Sequence, residues 1–192
     1  MITNILQSGP PLKVPVLAAL IGPDCSGKST LAKALTNLGV PFVYKGGPTK
    51  NVTEGLQKIE ERLKSLHEVT NFYGIAEHIN NIDAVVYAPI FGYTPTPEEE
   101  QAVQEFEAHR AERVVLVYCQ APLEVLKQRL QERGDPFITE KDLPLIVDRY
   151  QERLATTCLT CISVDTWNAS PVEGAIAVDT EIKELIKWSL HL

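Results

Sequence analysis

No stretch of the sequence stays apolar for the roughly 20 residues that a membrane-spanning helix needs, so no membrane segment is expected. Residues Met1 to Lys13 lack the basic-then-apolar layout of a secretory signal. With Gly9-Pro10-Pro11 among them, residues 1–13 read as a loose arm ahead of the first strand. Basic side chains are in the minority. Eighteen Lys and Arg stand against 25 Asp and Glu, a net charge of −7. That balance argues against an extensive nucleic-acid footprint while leaving room for a local basic cleft. Cysteine is scarce: Cys25, Cys119, Cys158 and Cys161. The last two form a lone C-x-x-C, with no second pair at zinc-ribbon spacing and no thioredoxin-like context. These cysteines are expected to act as small apolar side chains in a reducing, cytoplasmic setting. Internal repeats and low-complexity tracts are absent.

What the chain does have is a core and one strong motif. In 192 residues, 44% are hydrophobic and 22% charged, enough for one folded domain spanning 1–192. Gly22-Pro23-Asp24-Cys25-Ser26-Gly27-Lys28-Ser29 fits G-x-x-x-x-G-K-[ST], the P-loop pattern. A buried-strand run, Val14 to Ile21, precedes it, and a helical run, Ser29 to Leu35, follows. Strand, glycine loop and helix form the context in which backbone N–H groups and a helix N-terminus cradle phosphates. Gly22, Asp24, Cys25, Ser26, Gly27, Lys28, Ser29 and Thr30 are therefore the expected nucleotide-binding residues. Lys28 should reach the terminal phosphates, and the Ser29 hydroxyl should ligand Mg²⁺.

Further along, Val40 to Tyr44 reads as a second strand, followed by the glycine- and lysine-containing loop Lys45 to Lys50. A helix starts near Asn51, with Leu56, Ile59, Leu63, Leu66 and Val69 on one face. It is expected to resume through Phe72–Ile79, where the polar Tyr73, Glu77 and His78 are candidates to line a cleft. Ile82–Pro89 reads as the third strand, Arg113–Cys119 as the fourth and Cys161–Thr166 as the fifth. Helices are expected from Thr96-Pro97, Pro122 and Ser170-Pro171, each start carrying capping chemistry or an N-terminal proline. Between about 129 and 142, a helix end bearing Arg129 and Arg133, a turn at Gly134-Asp135-Pro136 and a new helix look like a short lid. Strands alternating with helices predict an α/β fold with a parallel sheet.

Gly22 to Thr30 resembles the opening of thymidylate kinase and related deoxynucleoside monophosphate kinases. Val115 to Asp135 resembles their strand, helix and arginine-bearing lid, and Val164-Asp165-Thr166 before a Ser-Pro helix start is also similar. The resemblance implies a three-layer P-loop kinase fold with a five-stranded parallel sheet in the order 2-3-1-4-5 and helices on both faces. It implies ATP and Mg²⁺ as cofactors, a deoxynucleoside monophosphate acceptor, contact of Asp24 with the acceptor, and an option of homodimerisation. Lys28, Asp24, Arg129 and Arg133 become the catalytic candidates. One departure stands out. The family ends its third strand with Asp-Arg after apolar residues such as V-V-Y, and the resemblance of Val85-Val86-Tyr87 to these sets Ala88-Pro89 there. Two other readings therefore stay open. One is a viral-type kinase phosphorylating a hydroxymethylated pyrimidine in DNA, and the other is a non-catalytic ATP-binding protein.

Overall fold

Residues Val16–Ile21 carry no polar side chain and are buried throughout, the composition of a strand covered on both faces. In the computed structural model, which describes residues 3–45, 52–77 and 80–190, they form a central strand of the sheet. The strands are β1 (Thr3–Gln7), β2 (Val16–Ile21), β3 (Phe42–Lys45), β4 (Tyr73–Glu77), β5 (Val114–Gln120) and β6 (Thr160–Asp165). The helices are α1 (Lys28–Asn37), α2 (Val52–Val69), α3 (Asn80–Tyr87), α4 (Pro97–Arg110), α5 (Leu123–Arg133), α6 (Leu143–Thr156) and α7 (Pro171–Leu190). The sheet order is β1-β6-β5-β2-β4-β3. All neighbours pair in parallel except β1, which runs antiparallel to β6.

Five parallel strands in the expected order are thus joined by a sixth, and the sheet is mixed. The segment expected to be a loose arm holds β1, with Thr3 opposite Val164 and Ile5 opposite Ile162. That pairing spans most of the chain, so no local pattern announces it.

The third parallel strand also lies elsewhere than expected. Ile82–Pro89 is not a strand; α3 occupies most of it, with Ile82 and Val86 in the main core and Val85 in a small cluster with Val52 and Val103. A short apolar run fits a buried strand and a buried helix equally well. Tyr73–Glu77, expected to be helical, is instead β4, buried at every residue between β2 and β3. Gly74 belongs there for a packing reason, since a Cβ would stand 2.6 Å from Val43 Cγ2. Ala88 and Pro89 fall in the turns after α3 and not at a strand end.

Two apolar layers cover the sheet. On one face α1 and α7 supply Leu31, Leu35, Val178 and Ile182. On the other, α2, α3, α5 and α6 supply Leu63, Ile82, Leu126 and Ile146. The three-layer arrangement sets the strand C-termini along one edge, where open α/β sheets place their ligands.

Candidate active site at the phosphate loop

The loop leaves β2 at Gly22, whose φ of 137° no side chain adopts comfortably. A Cβ there would meet the Cys119 carbonyl oxygen at 2.4 Å, so glycine is required twice over. Cys25 also holds a positive φ, 63°, a strained setting of the kind concentrated at functional sites. Left-handed Gly27 is the N-cap of α1 and offers no side chain to its N–H groups. The first turn of α1 itself carries no acidic residue, so the helix's own side chains leave its positive end open to an anion.

Side chains converge on this cradle. The Lys28 ammonium donates to the carbonyls of Gly22 at 2.6 Å and Pro23 at 2.7 Å, arching over the loop. Its stem is buried, with the whole residue 6% exposed. The Ser26 hydroxyl is buried against Gly22 and has no hydrogen-bond partner among the described residues. The Ser29 hydroxyl donates to Glu77 Oε2 at 2.6 Å. Glu77 ends β4, opposite Leu20 in the register, so the sheet itself delivers this carboxylate to the loop. Thr30, exposed, lines the cleft one residue further on.

Glu77 answers the question of the strand-end acid. Once the third parallel strand is β4, the residue that ends it is Glu77, and Ala88-Pro89 lie elsewhere. His78 and the segment 46–51, including the glycine- and lysine-containing loop, lie outside the described residues. The readable signal was the apolar run before Glu77, obscured by Gly74 and Ala76, which favour strands poorly. Tyr73, grouped with Glu77 from the sequence, sits at the opposite end of β4, and its hydroxyl donates to Asp179 on α7 at 2.5 Å. Burial and that carboxylate hold the Tyr73 phenol far above its ordinary range.

Arg129 and Arg133, the two arginines expected on a lid, are treated differently by the fold. Arg129 on α5 donates from Nη1 to the Cys25 carbonyl and from Nη2 to the Thr166 carbonyl, both at 3.0 Å. It braces the loop against the segment after β6. Thr166 strengthens the same junction, its hydroxyl lying 2.6 Å from the Ser26 carbonyl. Arg133, one turn on, is exposed at the cleft rim and pairs with Asp135 at 2.8 Å. Between them and α6 the turn is tied down by Asp135 and Asp142, which accept the N–H groups of Phe137 and Thr139. Ile138 is buried in the core.

The resulting cleft, about 690 Å³, is lined by Lys28, Ser29, Arg129, Arg133, Trp167 and Ser170 among others. Trp167 is 50% exposed, and its backbone N–H is fixed by Asp165 at 2.8 Å. Asp24 lines the cleft too, and its Oδ2 accepts from the Tyr87 hydroxyl at 2.7 Å. Thr166 stood in the sequence only as the end of a strand resembling the family, and nothing there marked Trp167 or Tyr87 as site residues. The four cysteines are free, and no metal-ligand cluster of His, Cys, Asp and Glu occurs among the described residues. Among these residues no helix is long and apolar enough to cross a membrane.

No protein-family model matches the chain. The SPbeta prophage-derived uncharacterized protein YorR of Bacillus subtilis (strain 168) is 31% identical over 159 residues, covering 81% of this chain and 93% of that protein. A crystal structure of YorR in complex with phosphorylated GDP superposes with a TM-score of 0.65 at 29% identity, over 88% of this chain and 96% of that one. Deoxyadenosine kinase from M. mycoides, with dCMP and a flexible dCDP bound, gives a TM-score of 0.56 at 12% identity, over 88% of this chain and all of that one. Shikimate kinase from Acinetobacter baumannii gives 0.50 at 16% identity, over 89% and 94%. The last two likenesses are of fold alone, and that fold is the one P-loop kinases use. By its identity to YorR over nearly the whole of that protein, the chain belongs to the YorR family.

Proposed function

We propose that the chain is a P-loop nucleotide kinase, moving the terminal phosphoryl group of ATP to a deoxynucleoside monophosphate of the thymidylate kind. The observation that carries this is the Ser29–Glu77 pair, 2.6 Å apart beside the phosphate cradle. Mg²⁺ takes one or two carboxylates, hydroxyls and phosphate oxygens rather than an all-protein cage, so this pair fits it. When bound, Mg²⁺ would neutralise charge on the donor phosphates. The chain's own groups do the rest. Loop N–H groups and Lys28 hold the phosphates. Arg129 keeps the loop in register with Thr166, and Arg133 at the rim supplies a permanent, forked cation over the donor. Residues 129–142 act as the lid that excludes water. Asp24, between donor cleft and α3, accepts from the acceptor.

The setting proposed is cytoplasmic, with the chain working as one kinase unit; a homodimer rests on the resemblance alone. The non-catalytic reading drew its main support from Ala88-Pro89, and that support disappears with Glu77 at the strand end. YorR and deoxyadenosine kinase are seen with nucleotides bound, which favours a small nucleotide over DNA as acceptor.

The test is transfer of label from ATP, with Mg²⁺, to separate pools of deoxynucleoside monophosphates, deoxynucleosides, and plain or hydroxymethylated DNA. Labelled deoxynucleoside diphosphate is the expected product. Label confined to DNA would replace the acceptor, and ATP binding without transfer to any pool would overturn the enzyme reading.

A further inference from the structure

Asp24 has a second neighbourhood besides the phosphate loop. On α3, Asp83 and Tyr87 stand one turn apart and share a face. Tyr150, fully buried on α6, donates its hydroxyl to Asp83 Oδ1 at 2.6 Å. Tyr87 donates to Asp24 Oδ2 at 2.7 Å. The two rings meet edge-on with centroids 6.3 Å apart, and Tyr118 of β5 packs against Tyr150 at 5.8 Å. Phe91 stacks on Tyr87 with centroids 6.4 Å apart. The sheet therefore sets Tyr150, Tyr150 sets the rotation of α3, and α3 aims Tyr87 at the phosphate loop.

The chemistry of this chain is one-directional. Burial holds both phenols well above their ordinary range, and the neighbouring carboxylates add to it, so both remain neutral donors. Among the described residues, Asp24 takes no other hydrogen bond. The cations that share its cleft are engaged elsewhere: Lys28 with the Gly22 and Pro23 carbonyls, Arg129 with the Cys25 and Thr166 carbonyls, and Arg133 with Asp135. A carboxylate already holding one neutral donor, with Asp83 one turn away on the same face of α3 as Tyr87, suits a further hydrogen donor such as a hydroxyl better than a phosphate.

We infer that Tyr87 is a positioning residue for the acceptor. By filling Oδ2 of Asp24 it leaves Oδ1 to take the acceptor's hydroxyl, and the Tyr150–Asp83 bond keeps α3 in the setting that allows this. The inference rests on the kinase reading above. It assigns acceptor affinity to a residue that need touch neither ATP nor acceptor.

The experiment is a steady-state cycle of wild type, Tyr87→Phe, Asp24→Asn and the double variant, with the deoxynucleoside monophosphate that the wild type uses. A lost hydrogen bond to a carboxylate should raise the acceptor KM by about tenfold in Tyr87→Phe, with kcat within about twofold and the ATP KM unchanged. In the Asp24→Asn background the same change should cost less than about twofold further, because the two act as one unit. Tyr150→Phe, which leaves Tyr87 and Asp24 intact, is the second variant should Tyr87→Phe not fold. It is expected to raise the acceptor KM and leave the ATP KM alone. Additive losses, or an ATP KM that moves with the acceptor KM, overturn the inference while the kinase reading stands. A wild type that transfers nothing overturns the kinase reading and this inference with it.

Discussion

Glu77 is 4% exposed, and its carboxylate takes the Ser29 hydroxyl at the mouth of the phosphate loop. Gln in its place keeps an oxygen for Ser29 but loses the charge that a hard divalent cation requires. Glu77→Gln should lower kcat by about a hundredfold at fixed Mg²⁺ and leave thermal stability nearly unchanged. A Mg²⁺ titration of the transfer rate checks it, and wild-type kinetics would contradict the metal assignment. The cysteines offer a chemical check on the same site. Burial pushes Cys119 and Cys161 up to about 12, which leaves almost no thiolate at neutral pH. Cys158 is exposed and Cys25 is partly exposed in the loop. A thiol reagent on the native protein should therefore label Cys158 and, more slowly, Cys25, with ATP protecting Cys25 alone. Peptide mapping after labelling reads the outcome.

At the scale of elements, α4 and α6 are joined by a buried ion pair. Arg153 bonds Glu107, which also accepts from the Thr157 hydroxyl at 2.8 Å. Burial pushes the Glu107 carboxyl up, opposed by Arg153 and Thr157. Removing one partner strands the other charge, so Arg153→Met should cost about 3 kcal/mol, and adding Glu107→Leu should return most of it. Denaturant unfolding of the single and double variants measures both. The elements also show what a sequence makes legible. Helix starts at Thr96 and Ser170 were readable because capping is local chemistry; Thr96 and Glu99 bond reciprocally, as do Ser170 and Glu173. The P-loop was readable for the same reason. β4 was not, because Gly74, Ala76 and Glu77 are poor strand formers that only the flanking β2 and β3 hold extended. With Phe72–Ile79 read as helix and Ile82–Pro89 as strand, Glu77 counted only as a candidate for the cleft, and Ala88-Pro89 took its place at a strand end. β1 was missed because its partner β6 lies at the far end of the chain.

The whole molecule is built to bring distant segments to one edge of the sheet. Gly22 to Thr30 follow β2, Glu77 ends β4, and Thr166 follows β6, while Arg129 comes from α5 to bond across two of these segments. None of these groups is near another in sequence except within the loop, so the geometry of the site is a property of the fold. The YorR-family relationship and the P-loop kinase fold agree with that reading. The central claim, that this edge performs phosphoryl transfer, is tested most directly by following terminal-labelled ATP with Mg²⁺ and deoxynucleoside monophosphates, comparing wild type with Lys28→Ala. The account predicts labelled deoxynucleoside diphosphate from the wild type and a rate lower by at least about a thousandfold from the variant. Equal rates in the two proteins, or ATP bound by the wild type with no label transferred, would contradict it.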